Sequence, residues 1–304
     1  MIYTITLNPS IDYVLEIDKF FDGKTNRSTK EEKYSGGKGI MVSKLLKNLG
    51  IRSINIGFLG GFTGEFIRNK LDESEIEEEF TKIEDDSRIN IKLKYDKETE
   101  INAGGPQIKE AEIEEFLNYL DELEEDDFVI ISGSIPKSLG EDFYRVIVNL
   151  LEMNNVRFAL DTSGKKLFKL SSYKPFLIKP NKDELAEIFD QTLDSDEKII
   201  KNVRKFIDQG AENVIVSLGE EGSIFIDENV IYKAKAIKGE VINSVACGDS
   251  MVGGYIYGYM KGFSKLDSFK FAVASASATA FSYDIGKKEE ILKLLDKVEI
   301  EILK

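Results

Sequence analysis

The chain has 304 residues, 42% hydrophobic and 32% charged, with a formal net charge of −14; such a length supports a substantial core, commonly one α/β domain, and so acidic a surface argues against unspecific nucleic-acid binding. There is no histidine and no tryptophan, which excludes histidine triads, histidine metal sites and histidine general bases. The lone cysteine, Cys247, excludes an internal disulfide and suits a reducing compartment. Met1 to Asn8 carries no basic leader, and no run reaches the ~18 apolar residues of a membrane helix, so the expected location is the cytoplasm.

Ile2 to Leu7 reads as a strand ended by Asn8-Pro9-Ser10. Asp12 follows, just past the strand end, where an α/β sheet meets its ligands; a turn-capping Asp is the plain alternative. Tyr13 to Arg27 alternates weakly and predicts a small β excursion turning at Asp22-Gly23. Gly36-Gly37-Lys38-Gly39 then opens a helix with Ile40, Val42, Leu45, Leu46 and Leu49 at helical spacing, closed by Gly50. It is not a Walker A loop, because Gly39 and not Ser or Thr follows Lys38. Ile54 to Phe58 reads as a buried strand, and Gly60 to Gly64 turns into a helix. The acidic run Asp72 to Glu79 reads as a solvated surface. Ile89, Ile91, Leu93 and Tyr95 alternate with Asn90, Lys92 and Lys94, which predicts a strand with one apolar and one polar face. Together with the Tyr13–Arg27 excursion it would form a lid, bracketed by Arg27 and Arg88. Arginines beside a cleft in an acidic protein are candidate phosphate clamps; exposed surface arginines are the alternative.

A helix is expected over about 109–124, and then strands and helices alternate regularly. Strands are predicted at Phe128–Ser132, Phe158–Asp161, Phe176–Lys179 and Val214–Ser217, with helices near 141–153, 182–190, 196–209, 250–261 and 265–283. This order predicts a mostly parallel sheet with helices on both faces. Each strand ends in polar residues: Ser132-Gly133-Ser134, Asp161-Thr162-Ser163-Gly164, Lys179-Pro180-Asn181 through Glu184, and Ser217 through Gly222. Those ends form the ligand crevice of an open α/β sheet. Val241 to Gly254 reads as the end of a strand, a small-residue turn at Ala246, Cys247 and Gly248, and a helix whose first turn holds Asp249. Backbone N–H groups at such a helix start bind anions. A carboxylate beside them is placed to take a proton from an attacking hydroxyl, although an N-capping Asp looks the same in sequence.

Asn243 to Gly254 resembles the C-terminal signature of the ribokinase-like (PfkB) carbohydrate kinases, usually Gly-Ala-Gly-Asp, with Ala246 and Cys247 replacing its first two residues. Gly36-Gly37-Lys38-Gly39 is similar to the N-terminal signature, Gly-Gly-Lys-Gly-x-Asn-Val, with Met41 in place of Asn. The resemblance implies a three-layer αβα sandwich with a mostly parallel central sheet. It implies a single kinase domain over 1–304 with a β lid from about 12–34 and 87–104. It implies ATP-dependent phosphoryl transfer with Asp249 as general base and an anion hole at Ala246, Cys247, Gly248 and Asp249. Asp12, Gly37 and Lys38 would line the sugar site, while Arg27, Arg88 and Asn90 would reach its phosphate. Lys179, Asn181, Glu184, Ser217, Gly219, Gly222 and Gly248 would serve ATP, with Mg²⁺ held at Glu184 through water. Segments Leu7 to Asp12, Gly57 to Gly64, Thr99 to Asn102 and Ser132 to Pro136 look most like the branch acting on phosphorylated ketohexoses. Fructose 1-phosphate is the leading substrate there, with tagatose 6-phosphate and fructose 6-phosphate as competitors. The Met41 and Ala246 departures motivate a second reading, a non-catalytic sugar-phosphate-binding protein. Activation by a monovalent cation stays open. A homodimer through the lids is expected, and neither nucleic acid nor membrane is an expected partner.

Overall fold

A computed structural model describes residues 1–304. Strands β1 (Ile2–Thr6), β2 (Ser10–Glu16) and β3 (Lys30–Gly36) precede helix α1 (Lys38–Asn48). Then come β4 (Ile54–Gly60), α2 (Gly61–Glu73), β5 (Glu77–Glu78), β6 (Thr81–Ile83), β7 (Arg88–Lys94) and β8 (Glu98–Ile101). The middle of the chain runs α3 (Glu110–Asp121), β9 (Phe128–Ser132), α4 (Phe143–Met153), β10 (Arg157–Asp161), α5 (Lys166–Leu170), β11 (Leu177–Ile178), α6 (Lys182–Phe189) and α7 (Asp196–Gln209). It closes with β12 (Val214–Ser217), β13 (Ser223–Ile226), β14 (Ile231–Ala234), α8 (Cys247–Met260), α9 (Lys265–Ala280), α10 (Lys288–Leu295) and β15 (Ile300–Ile302).

Eleven strands form the central sheet, in the order β15-β14-β13-β12-β11-β10-β9-β1-β4-β5, with β6 also pairing β4. From β5 to β12 the pairs are parallel; β12, β13, β14 and β15 form an antiparallel edge. Because successive side chains of a strand point to opposite faces, β9 sends Val129 and Ile131 one way and Phe128 and Ile130 the other. Val129 and Ile131 join a core with α3, α4, α5, α6 and α7; Phe128 and Ile130 join one with α1, α8, α9 and α10. The sheet is therefore sandwiched between two helical layers. Both faces are apolar, so its parallel strands read as continuous hydrophobic runs.

A separate four-stranded sheet, β3-β2-β7-β8, lies beside this sandwich. Its first two strands lie between Ser10 and Gly36, so Asp12 sits inside β2 and not past a strand end. The chain resumes a strand immediately after the Pro9 turn, because β7 pairs with β2 along its whole length, Ser10 opposite Arg88 and Glu16 opposite Lys94. Cross-strand partners share a face. One face carries Asp12, Asn90, Arg88 and Lys92, and the other Ile11, Leu15, Ile89, Ile91, Leu93 and Ile101. Ile11 anchors the lid in a small core with Ile40, Leu59 and Ile67.

Helix α8 is apolar nearly all round, as a helix between neighbours must be. A β-carbon at Gly254 would lie 2.5 Å from Ser275 Oγ, and one at Gly258 2.7 Å from Ser268 Oγ. These glycines, with Ala272, let α8 and α9 pack backbone to backbone. No helix is long and apolar enough to cross a membrane. Val241 to Val245 is irregular and does not end a strand: Ile242 N and Asn243 N both donate to one carbonyl, Ala280 O, so no ladder forms.

Candidate active site

Two parallel strands and two helices deliver a charged cluster to the C-terminal side of the sheet. Asp161 is the last residue of β10, Lys179 follows β11, and Lys38 opens α1 where the chain returns from the lid. Lys179 Nζ lies 3.2 Å and Lys38 Nζ 3.5 Å from the same oxygen, Asp161 Oδ1. Asp161 and Lys179 are buried; Lys38 is partly open to the cleft. Asp249, buried in the first turn of α8, neighbours both lysines and Asp161. Thr6, Asn8, Ser132 and Thr162 end their strands nearby with buried side-chain oxygens that no protein group satisfies. Unpaired buried polar atoms are uncommon in folded proteins, and a row of them along the strand ends marks a polar ligand surface.

The two carboxyls divide their roles by environment. Burial works against the Asp161 carboxylate, but Lys179 and Lys38 together hold it below the usual range. Burial first, then the adjacent Asp161 charge, push Asp249 up to about 8, with the two lysines opposing. Like charges sharing a site part their pKa values in this way. Lys38 is held well above the ordinary ammonium value by Asp161, against the pull of burial.

The α8 turn presents a helix N-terminus to the cluster. Ala246 caps the helix in the left-handed region, at φ 61°, and no side chain caps the first turn. An αL residue costs an alanine roughly 1–2 kcal/mol, which explains why glycine is usual in this signature. The turn leaves the first N–H groups of α8 without intrahelical partners. A β-carbon at Gly248 would stand 3.0 Å from Lys179 Nζ, so the bare glycine admits that ammonium to the helix start. Cys247 lies half-buried in the same turn, its thiol pushed up to about 11 by burial and then by Asp249.

On the lid side, Asp12 Oδ1 accepts from Ser10 Oγ at 2.8 Å and Asn90 Nδ2 at 3.2 Å, while Asn90 Oδ1 accepts from Ala103 N. A β-carbon at Gly36 would come within 2.6 Å of the whole Asp12 carboxyl. Arg88 donates to Asn8 O and Ala103 O, which braces the lid against the sheet. Gly37, at φ 137°, is the N-cap of α1 and packs over Thr6. Met41 has its side chain against the apolar clusters. Arg27 stands apart: it is exposed on the loop between β2 and β3, with no hydrogen bond or ion pair.

On the other side of the cluster, Asn181 and Glu184 form a reciprocal capping box at the start of α6. Asn181 Oδ1 accepts from Glu184 N at 2.7 Å and Glu184 Oε2 accepts from Asn181 N at 2.9 Å. Glu184 Oε1 is left free, and the Glu184 charge acts on Lys38. Ser217 bridges to Asn181, which places the end of β12 beside that cap. Gly219 and Gly222 both have positive φ. Gly222 turns the chain from β12 into β13, with a virtual β-carbon 2.0 Å from Ala234 O, so the fold alone requires it. Asp161, which gathers the lysines, was placed by sequence among the polar strand ends of the crevice but given no role of its own. Its only signal was a charged residue at a strand end before Thr-Ser-Gly, which ordinary βα-turn chemistry also produces.

The comparisons agree with this geometry. Residues 2–290 match the pfkB family carbohydrate kinase description, and the chain belongs to that family, whose members transfer phosphate to a hydroxyl group. The chain is 44% identical over 300 residues to 1-phosphofructokinase of Bacillus subtilis, covering 99% of each. It is 36% identical over 301 residues to D-tagatose-1-phosphate kinase of Bacillus licheniformis, again covering 99% of each. The crystal structure of Escherichia coli phosphofructokinase-2 with fructose-6-phosphate superposes with a TM-score of 0.90 over 97% of this chain and 98% of that one; at 24% identity it attests the fold.

Proposed function

We propose that this protein is one kinase unit over 1–304 that transfers a phosphoryl group from ATP to fructose 1-phosphate, giving fructose 1,6-bisphosphate. The observation that carries the chemistry is the buried Asp249 in the anion-binding turn of α8, flanked by Lys38 and Lys179. Phosphoryl transfer asks a protein mainly for positioning and charge stabilisation. In this reading Asp12 and Asn90 orient the sugar hydroxyls, and Arg88, with Arg27 when the lid closes, meets its phosphate. Asp249 accepts the proton of the attacking hydroxyl; a base near neutrality suits that task. The N–H groups of Ala246 to Asp249 and the two ammonium groups meet charge on the transferring group. Lid closure excludes water, so that ATP is not hydrolysed instead.

Mg²⁺ fits the donor set as a nucleotide-borne ion. No three carboxylate or thiol groups converge into a cage, while one oxygen of Glu184 is free beside the cluster, the pattern of an ion that keeps its waters. Bound with ATP, Mg²⁺ would neutralise charge on the phosphates. Asn181, Ser217 and the Gly219–Gly222 turn would line the nucleotide. Activation by a monovalent cation belongs to this reading only by analogy with E. coli phosphofructokinase-2, which has been crystallised with potassium.

The substrate follows the relatives. The 44% identical protein is named for fructose 1-phosphate and the 36% identical one for tagatose 1-phosphate, whereas tagatose-6-phosphate kinases of Staphylococcus epidermidis are 35% identical. The lid's aliphatic face, on which Ile89 and Ile101 are exposed and Ile91 and Leu93 half-buried, supports a homodimer through the lids. ATP and sugar phosphates as substrates support a cytoplasmic location; recovery in the membrane pellet on fractionation would count against that. The deciding assay couples ADP release to Mg²⁺-ATP and offers fructose 1-phosphate, tagatose 1-phosphate, tagatose 6-phosphate and fructose 6-phosphate in parallel. Fructose 1-phosphate should give the highest kcat/KM. A 6-phosphate preference overturns the substrate, and tight binding without ADP release favours the non-catalytic reading that Met41 and Ala246 motivate.

A further inference from the structure

The charged cluster holds one group that the chemistry just described does not use. Asp161 is fully buried, yet it is neither the base nor a cap. Its Oδ1 takes both ammonium groups, from two elements far apart in sequence, and its Oδ2 has no hydrogen-bond partner. The backbone around it is fixed. Gly133 N donates to Asp161 O at 3.0 Å, and Tyr144 Oη donates to Gly133 O at 2.9 Å. The Lys38 stem crosses Gly133, where a β-carbon would touch Lys38 Cβ at 3.8 Å. Lys179 Nζ meets the start of α8 through the gap at Gly248.

We propose that Asp161 is the positioning residue of the transfer site: one carboxylate oxygen gathers Lys38 and Lys179 beside Asp249, so that both ammonium groups face the same transferring phosphoryl group. The proposal rests on the kinase reading for its consequence, but the arrangement itself is independent of substrate. Two lysines on a single buried oxygen leave each ammonium with unused donors, Lys38 on the open side and Lys179 towards the α8 turn. An isolated buried ammonium would be costly; Asp161 gives both lysines one shared counter-charge. The groups that face Asp249 are Asp161 from β10, Lys38 from α1, Lys179 beyond β11 and Cys247 from its own turn, with Glu184 of α6 acting on Lys38. Of these, Asp161 is the anion that opposes ionisation of Asp249, and the lysines favour it.

The test is Asp161→Asn, which keeps shape and removes charge. With the lysines left to Asp249 alone, its carboxyl should titrate at least one pH unit lower, read by ¹³C NMR of aspartate-labelled protein and assigned with Asp249→Asn. The acid limb of kcat/KM should move down with it, while plateau kcat falls tenfold or more. A purely structural role would lower the melting temperature and leave both titrations in place. An unmoved Asp249 titration with kcat within twofold of wild type overturns the proposal. Should Asp161→Asn fail to fold, Lys179→Gln is read instead: the carboxyl should titrate higher, and an unchanged or lower value overturns the proposal. Wild-type protein that releases no ADP with any sugar phosphate would sink the kinase reading, and the carboxyl titration would still decide the role of Asp161.

Discussion

The lid and the strand-end cluster are built on opposite principles. The cluster is charged and buried: Asp161, Lys179 and Asp249 are all under a tenth exposed, set on strands and a helix packed from both faces. The lid is open to solvent, with ion pairs such as Lys30–Glu32 and Lys92–Glu100 on its surface, and its contacts around Asp12 are neutral. Asp12 is held by a hydroxyl and an amide, no lysine reaches it, and Ile89 of β7 and Ile101 of β8 are exposed. Charge works hardest where water is excluded, so the group-transfer machinery belongs in the rigid sandwich. On the proposed reading, sugar recognition needs direction more than charge, and the hydrogen bonds that hold Asp12 in the lid sheet would supply it. The difference teaches that rate and specificity should separate on mutation.

Asp249→Asn should show the largest effect. Loss of a general base lowers kcat by roughly 10²–10⁴-fold, with the sugar KM little changed, measured by steady-state kinetics. The same change should alter stability with pH. Asp249 is raised in the folded state, so the native protein holds a proton that the unfolded chain has released between pH 4 and about 8. Its contribution is present below pH 4 and is lost as pH rises through about 8. The melting temperature of the variant should therefore gain on wild type across that range. An equal difference at pH 5 and pH 8.5 would show that Asp249 is not buried beside Asp161.

Gly36→Ala attacks the lid alone. The new methyl would force the Asp12 carboxyl away from Ser10 and Asn90. The sugar KM should rise about tenfold, or ~1.4 kcal/mol, with the ATP KM within twofold. A fall in kcat with no change in sugar KM would place Asp12 in the transfer machinery and erase the contrast.

The smallest effect on chemistry is expected from the outer face. Ile91→Lys with Ile101→Lys should convert a dimer to a monomer in sedimentation velocity and leave transfer nearly intact. Wild-type protein that is already monomeric at micromolar concentration would remove the lid interface.

Much of this was legible in the sequence, and the misses have physical causes. Regular alternation of buried strands and amphipathic helices is a local pattern, so Phe128–Ser132 and Val214–Ser217 read correctly and Phe158–Asp161 fell one residue short of β10, with their polar ends in one layer. Strands with no such signature did not. β3 (Lys-Glu-Glu-Lys-Tyr-Ser-Gly) is polar because it lies exposed on the lid, and Ser223–Ile226 is too short and too buried to alternate. The face that β7 turns inward was also hidden: alternation gives two faces, but only packing decides that Asn90 is buried and Ile89 exposed.

At the site, the sequence alone determined that Asp249 starts a helix after a small-residue turn, that this turn and Gly36-Gly37-Lys38-Gly39 resemble the two signatures of one family, and that no histidine takes part. Local chain stiffness and spacing suffice for those statements. Only the tertiary structure decided that Lys38 and Lys179, 141 residues apart by their numbers (179 − 38), share one oxygen of Asp161. It also decided that Asn181 and Glu184 spend half their polar groups on capping α6. Burial and long-range charge act through space between strands that parallel pairing brings side by side, and no window along the chain contains them.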